Sequence, residues 1–203
     1  MGCLQPQERL AHPPAAPAVA APPAHVTAAS DCAPSVPHGQ RLSAIAAGQY
    51  HSLYLKTDGS MRATGWNQYG QLGDGTTTDR NSSVEVEKDG VSLIVSGTSS
   101  SYYQMSSGTM RSTGRNNYGQ LGDGSVTDRN TSVAISDSKA VAWSGGSGFA
   151  VIVGSDNELR AFGRNNYGQL GDGTTTDRNA SVEVISANAM QPKTLTVTVV
   201  ANL

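Results

Sequence analysis

From residue 42 onward, apolar and polar positions alternate over short runs, and turn residues separate the runs. Ser52-Leu53-Tyr54-Leu55-Lys56 is one run of strand length, followed by Thr57-Asp58-Gly59-Ser60 and a second run from Met61. Asp-Gly offers the positive φ values that a tight hairpin turn demands, so these two runs are predicted to pair. A further strand is expected before the hairpin, over Leu42–Ala46, and a fourth after a glycine-rich loop, around Val84-Glu85-Val86.

This pattern is copied twice. Tyr69-Gly70-Gln71-Leu72-Gly73-Asp74-Gly75 returns as Tyr118 to Gly124 and as Tyr167 to Gly173, each time after 49 residues. Thr78-Asp79-Arg80-Asn81 and Met61-Arg62-Ala63-Thr64-Gly65 return in the same register. The hairpin position holds Ser107-Gly108 in the second copy and Asp156-Asn157 in the third, where Asn tolerates the left-handed conformation. The first strand recurs at Val91–Val95 and Ala140–Ser144, the fourth at Val133–Ile135 and Val182–Val184. The copies fill about residues 41–89, 90–138 and 139–187. Four short strands in each unit of this length describe a propeller blade.

Composition divides the 203 residues. Eight of the nine prolines fall between Pro6 and Pro37, and all aromatic residues lie at or after Tyr50. Residues 1–40 therefore read as a disordered Ala/Pro-rich tail, since proline removes backbone donors and alanine buries little area. No proline-free apolar run there is long enough for a signal peptide. Pro6 stands where a myristoylation signal would carry Ser or Thr. Residues 188–203 contain Thr194-Leu195-Thr196-Val197-Thr198-Val199-Val200, which alternates like a half-buried strand and could cap the array. Cys3 and Cys32 both lie in the tail, so neither a disulfide framework nor a cysteine zinc site is expected in the repeats. A formal charge of −2 and a pI near 6.0 offer no basic field for nucleic acid, and no run is apolar enough to cross a membrane. The compartment is left open by the sequence, the cytoplasm being the one that such a chain fits best.

No copy holds the Trp-Asp pair of one propeller repeat of similar period, and Gly145-Gly146 is the only glycine doublet that could suggest another. The copies instead carry Gly48-Gln49-Tyr50-His51-Ser52-Leu53-Tyr54-Leu55-Lys56-Thr57-Asp58-Gly59-Ser60, leading to Gly65-Trp66-Asn67-Gln68-Tyr69-Gly70-Gln71-Leu72-Gly73. This closely resembles the repeat of the regulator of chromosome condensation family, RCC1. The resemblance implies a β-propeller, usually of seven blades, for which roughly 340 residues would be needed. Two features depart from the family pattern. Ser83, Ser132 and Ser181 stand where proline often precedes the last strand, and the His51-Ser52 pair is replaced by Ser100-Ser101 and Phe149-Ala150. The fold expected is thus all-β, a partial, open RCC1-like propeller of about three blades with a disordered N-terminal tail. Three blades could be part of a longer propeller, an open array capped by its tails, or one that self-association completes.

Candidate chemistry is sparse. The spacing of Gly70, Gly73 and Gly75 is neither a dinucleotide fingerprint nor a P-loop, and no Gly-Lys-Ser/Thr follows. Tyr69, Gly70 and Gly73, with Tyr118, Gly119, Gly122, Tyr167, Gly168 and Gly171, are expected to shape a structural loop, the tyrosines bridging neighbouring blades. Asp74, Asp123 and Asp172 are expected to form turns, and Asp79, Asp128 and Asp177 to pair with the adjacent arginine or with a neighbouring blade. The spacing of these acids does not make a calcium loop. His12, His25, His38 and His51 do not cluster with acids or cysteines, and no G-x-S-x-G elbow supports a catalytic triad. No catalytic residue, cofactor or metal is expected. Arg80, Arg129 and Arg178 form one row at a single phase of the repeat, and Arg115 and Arg164 form another with Trp66 at its head. Both rows are candidates for partner contact. Asn81, Asn130 and Asn179 each begin a glycosylation acceptor pattern, which would matter only in a secreted chain.

These observations favour a non-enzymatic scaffold that binds an unidentified protein partner. The RCC1 resemblance implies an alternative, guanine-nucleotide exchange on a small GTPase, which the constant step disfavours because it leaves no room for an inserted wedge. A secreted surface- or carbohydrate-binding module is a third class.

Overall fold

A computed structural model describes residues 41–135, 137 and 140–184, all within the unit Val36–Leu203. The tail and the expected strand at Thr194–Val200 lie outside the described residues. The described residues form twelve strands: β1 (Leu42–Ala47), β2 (His51–Lys56), β3 (Met61–Gly65), β4 (Arg80–Glu87), β5 (Val91–Ser96), β6 (Ser100–Met105), β7 (Met110–Gly114), β8 (Arg129–Ile135), β9 (Ala140–Gly145), β10 (Phe149–Gly154), β11 (Leu159–Gly163) and β12 (Arg178–Glu183). They make three four-stranded antiparallel meanders, each in chain order, and no strand of one meander pairs with a strand of another. The result is an open, partial propeller. No helix of the described residues is long and apolar enough to cross a membrane.

Within each meander the sequence pattern sets the register. In the first, Leu53 pairs with Ala63 and Leu55 with Met61, which puts the apolar side chains of both strands on one face. The hairpin turns need a left-handed residue, and the chain supplies one each time: Gly59 at φ 81°, Gly108 at 96° and Asn157 at 64°. Asn157 is the single non-glycine residue with positive φ among the described residues, as an Asn-for-Gly exchange at a turn permits.

The second strands explain why the copies diverge most there. In β2 the residues alternate between buried and half-buried, and in β10 likewise, because each outer blade has a neighbour on one side only. In β6 five of six residues are buried. Tyr103 points toward the first blade, into a core of Leu53, Leu55, Met61, Ala63, Leu72, Val91 and Ile94. Tyr102, one residue earlier, points the other way, into a core with Met110, Ile135, Ala150, Ile152 and Phe162. A strand covered on both faces must be apolar or hydrogen-bonded at every position. The Tyr102 hydroxyl accordingly donates to the Gln120 carbonyl at 2.8 Å, and the Tyr103 hydroxyl bonds to Glu87.

The fourth strands begin earlier than the apolar pattern indicates. β4 starts at Arg80, four positions before Val84, and a register shift between Ala63 and Gly65 lets the polar run Asn81-Ser82-Ser83 join the sheet. An outer edge strand faces solvent, so alternation does not mark its first half.

His51 links the first two blades. It is 3% exposed, and its Nε2 lies 2.9 Å from the Ser101 hydroxyl. Burial with no counter-charge lowers its pKa to about 4. Between pH 6.5 and 4 the unfolded chain takes up a proton that the folded chain refuses, so stability falls as pH falls through this window. The loss is complete below the folded value and amounts to about 3 kcal/mol. Melting temperatures measured at pH 7 and at about pH 4 should therefore differ more for the native chain than for His51→Asn. Equal slopes would show that His51 is not the cause.

Candidate functional site

The loop from Trp66 to Asp79 joins β3 to β4, and its shape is set by Asn67, which is fully buried. The Asn67 side-chain amide donates to Asp74 Oδ1 and to the carbonyls of Thr76 and Thr78, each at 3.1 Å, and its Oδ1 accepts from the Leu72 amide at 2.9 Å. Asn116 repeats this set on Asp123, Ser125, Thr127 and Leu121, and Asn165 on Asp172, Thr174 and Leu170. Asparagine fits because it alone offers two donors and an acceptor on so short a stem. In the sequence the tyrosine and glycines of this loop are assigned a structural role, and the asparagine counts only as part of the repeat motif. Its signal is present as the asparagine that stands two positions before all three Tyr-Gly-Gln-Leu-Gly runs.

The aspartates divide the work differently from the expectation. Asp74 shapes the turn, accepting from the Thr76 amide and hydroxyl, and also pairs with Arg80 at 2.7 Å. Asp79 pairs with no arginine among the described residues; its carboxylate accepts from the Asn67 backbone amide at 2.8 Å. Arg129 and Arg178 pair with Asp123 and Asp172 in the same way. The hydrogen bond from Thr174 holds the Asp172 carboxyl down to about 2 against the opposing effect of burial, with Arg178 adding to the effect. Burial likewise raises Asp74 and Asp123, but hydroxyl and guanidinium donors outweigh it and both are lowered. Arg80, Arg129 and Arg178 thus each have a nearly buried carboxylate partner inside their own loop. Among the described residues no group of three His, Cys, Asp or Glu is placed to hold a metal.

Each of the first two loops also grips the next blade. Gly70 lies against the backbone of Asn130, and Gly119 against that of Asn179. The Gly75 amide donates to the Asn130 carbonyl at 2.9 Å, and the Asn130 side chain returns a bond to the Gly75 carbonyl at 3.0 Å. Gly124 and Asn179 repeat the exchange, both bonds being 2.9 Å. Thr113 and Ser101 reach back to the Gly70 and Gln71 carbonyls. The amide nitrogens of Asn130 and Asn179, where a glycan would attach, are therefore engaged between blades. Gly73 and Gly122 approach Thr113 and Phe162 of the following blade, whereas among the described residues Gly168 and Gly171 have no further blade beside them.

Over these loops runs an alternating row of rings and guanidinium groups. Tyr50 meets Trp66 edge-on at 6.0 Å, and Trp66 meets Tyr69 at 5.2 Å. Arg115 lies 4.9 Å from the Tyr69 ring centre and 5.9 Å from that of Tyr118. Arg164 lies 5.1 Å from Tyr118 and 5.8 Å from Tyr167, which ends the row 83% exposed. The Tyr69 and Tyr118 rings meet the following blade through Arg115 and Arg164, while the hydrogen bonds between these loops and the following blade are made by backbone, serine, threonine and asparagine. Arg115 and Arg164 are paired with no carboxylate within 4 Å among the described residues. A row of planar cations and aromatic edges is equipped for binding and orientation.

Fold and site together define a partial β-propeller whose blades are latched by paired glycine–asparagine bonds and crossed by an arginine–tyrosine row. A model of the regulator of chromosome condensation (RCC1) repeat matches residues 43–71, within the first repeat. Among solved structures the chain is similar to human WBSCR16, with 21% identity over 72% of this chain and 40% of that one, at a TM-score of 0.66. It is similar to Prp20p from Saccharomyces cerevisiae, a structure described with its binding properties to Gsp1p and histones, with 19% identity over 72% and 39% and a TM-score of 0.63. It also matches yeast RCC1 (Prp20) bound to Kap60, with 18% identity over 72% and 37% and a TM-score of 0.62. The chain spans about two fifths of the length of these proteins. No curated protein matches it.

These likenesses correct the expectation about partners. The sequence reading leaves the protein partner unidentified and admits self-association to complete a propeller. Yeast Prp20 instead has definite partners of other kinds, Gsp1p and histones in one structure's description and Kap60 in the other. Net charge and composition could not reveal this, because partner choice is made by the shape of a surface assembled from several blades.

Proposed function

We propose that this array binds a small GTPase and acts on it in the manner of an RCC1-type exchange factor. The observation that carries the reading is the likeness in fold to Prp20p, whose structure is described with binding to Gsp1p. The arginine–tyrosine row supports it by supplying a continuous surface across all three blades. Exchange of this kind needs no catalytic side chain: a partner that binds the nucleotide-free GTPase better than the loaded one speeds release by that difference alone. A cytoplasmic location belongs to the same reading, in keeping with repeats that contain no cysteine.

The test is release of a fluorescent guanine nucleotide from a panel of purified small GTPases, Gsp1p among them, with the chain in excess. Release several-fold above the intrinsic rate is expected for at least one member. Binding with no acceleration would favour the scaffold reading instead, and neither binding nor acceleration across the panel would remove the GTPase from the account.

A further inference from the structure

Between the second and third blades the arginine–tyrosine row opens into a small cavity of about 100 Å³. Arg115 and Arg164 stand on its wall, with Thr98, Ser99, Ser147 and Tyr118. Its make-up is one-sided. The hydroxyls of Thr98, Ser99 and Ser147 have no protein partner among the described residues, and no carboxylate contributes to the wall. Elsewhere in the repeats an arginine beside a loop is met by a nearly buried aspartate, as Arg80, Arg129 and Arg178 are. Arg115 and Arg164 have tyrosine rings in place of that aspartate. Their backbone amides are fixed to the Ser99 and Gly148 carbonyls at 3.0 and 2.7 Å, so both guanidinium groups spring from held positions.

We propose that this cavity is a carboxylate-binding site and that its occupant is an aspartate or glutamate side chain of an acidic peptide segment laid along the row. A cavity of this size has room for a carboxylate head. Two guanidinium groups and a set of free hydroxyls are the donors a carboxylate takes, and charge-assisted bonds of this kind are the strong ones. The flanking rings argue for a peptide over a free ion. Trp66 and Tyr69 on one side and Tyr167 on the other offer aromatic edges to the residues before and after the acid. The inference goes beyond the exchange reading and stands or falls separately from it, because its test contains no GTPase.

The experiment follows a short fluorescein-labelled oligo-glutamate peptide by anisotropy on the full chain at low salt. Saturable binding is expected that weakens as salt is raised. It should weaken at least about tenfold in Arg115→Gln and in Arg164→Gln and stay unchanged in Lys88→Gln. Oligo-lysine should not bind. A second measurement needs no variant: labelling of arginines by phenylglyoxal, read by mass spectrometry, should be blocked by the peptide at Arg115 and Arg164 but not at Arg62. The proposal is overturned if oligo-glutamate does not bind, if it binds without protecting these two arginines, or if folded glutamine variants bind as the native chain does. It is overturned too if inorganic phosphate displaces the peptide at equal concentration, which would make the cavity a phosphate site.

Discussion

Asn116→Ala should lower the melting temperature by about 10 °C, although Asn116 touches no neighbouring blade and carries no charge. The substitution strips three groups of a partner at once, the carbonyls of Ser125 and Thr127 and the Leu121 amide, and takes one donor from Asp123 Oδ1, which keeps the amide and hydroxyl of Ser125. Each orphaned polar group costs about 1–3 kcal/mol when it stays dry. The loop lies at the surface, so water will recover some of this, and about 3–4 kcal/mol is expected to remain. For a chain of this size each kcal/mol lowers the midpoint by about 2–4 °C. Asn116→Asp should be at least as harmful, because it gives up the donors and sets a second carboxylate against Asp123. Asn117→Ala, at an exposed position beside it, should change stability by no more than about 0.5 kcal/mol. Thermal melts followed by circular dichroism decide the matter, and a native-like melt for Asn116→Ala would show that the loop is held by something else.

The fold was legible wherever the physics is local and repeated. Turn residues, period-two alternation and the 49-residue step together placed the strands and the blade. The hairpin at Asp156-Asn157 could be read without a glycine because Asn is the one common substitute at such a φ. What escaped was contact made across blades. The double burial of β6 depends on having neighbours on both sides, which no window of sequence contains. The pairing of Arg80 with Asp74 instead of Asp79 was hidden because the loop folds back over six residues, and proximity in sequence favoured the wrong acid. The rows of arginines illustrate both outcomes. Phase alone made Arg80, Arg129 and Arg178 look equivalent to Arg115 and Arg164. Only the structure shows that the first set is paired inside its own loops and the second stacks on tyrosine rings.

Gly119→Ala and Gly168→Ala should differ sharply, though the two glycines occupy the same place in runs of eleven identical residues, Gly114–Gly124 and Gly163–Gly173. Both have φ near the same left-handed value, 75° and 72°, so both pay the backbone cost of an added side chain, about 1 kcal/mol. At Gly168 the new methyl would meet nothing nearer than the Thr174 carbonyl oxygen at 3.8 Å. At Gly119 it would sit 2.3 Å from Asn179 Cα and 2.8 Å from the Arg178 carbonyl oxygen. These are backbone atoms of the next blade, and they cannot swing aside as a side chain would. Relief requires the second loop to draw back from the third blade, stretching the paired bonds between Gly124 and Asn179. We expect Gly119→Ala to cost about 3 kcal/mol or more in total, and Gly168→Ala to cost about 1. Gly70→Ala should resemble Gly119→Ala, since its methyl would lie 2.3 Å from Asn130 Cα. Denaturant titrations of the three variants provide the check. Local sequence is held constant between Gly119 and Gly168, so any difference must come from the blade that follows one and not the other. Equal losses would overturn the description of the third loop as the open end of the array.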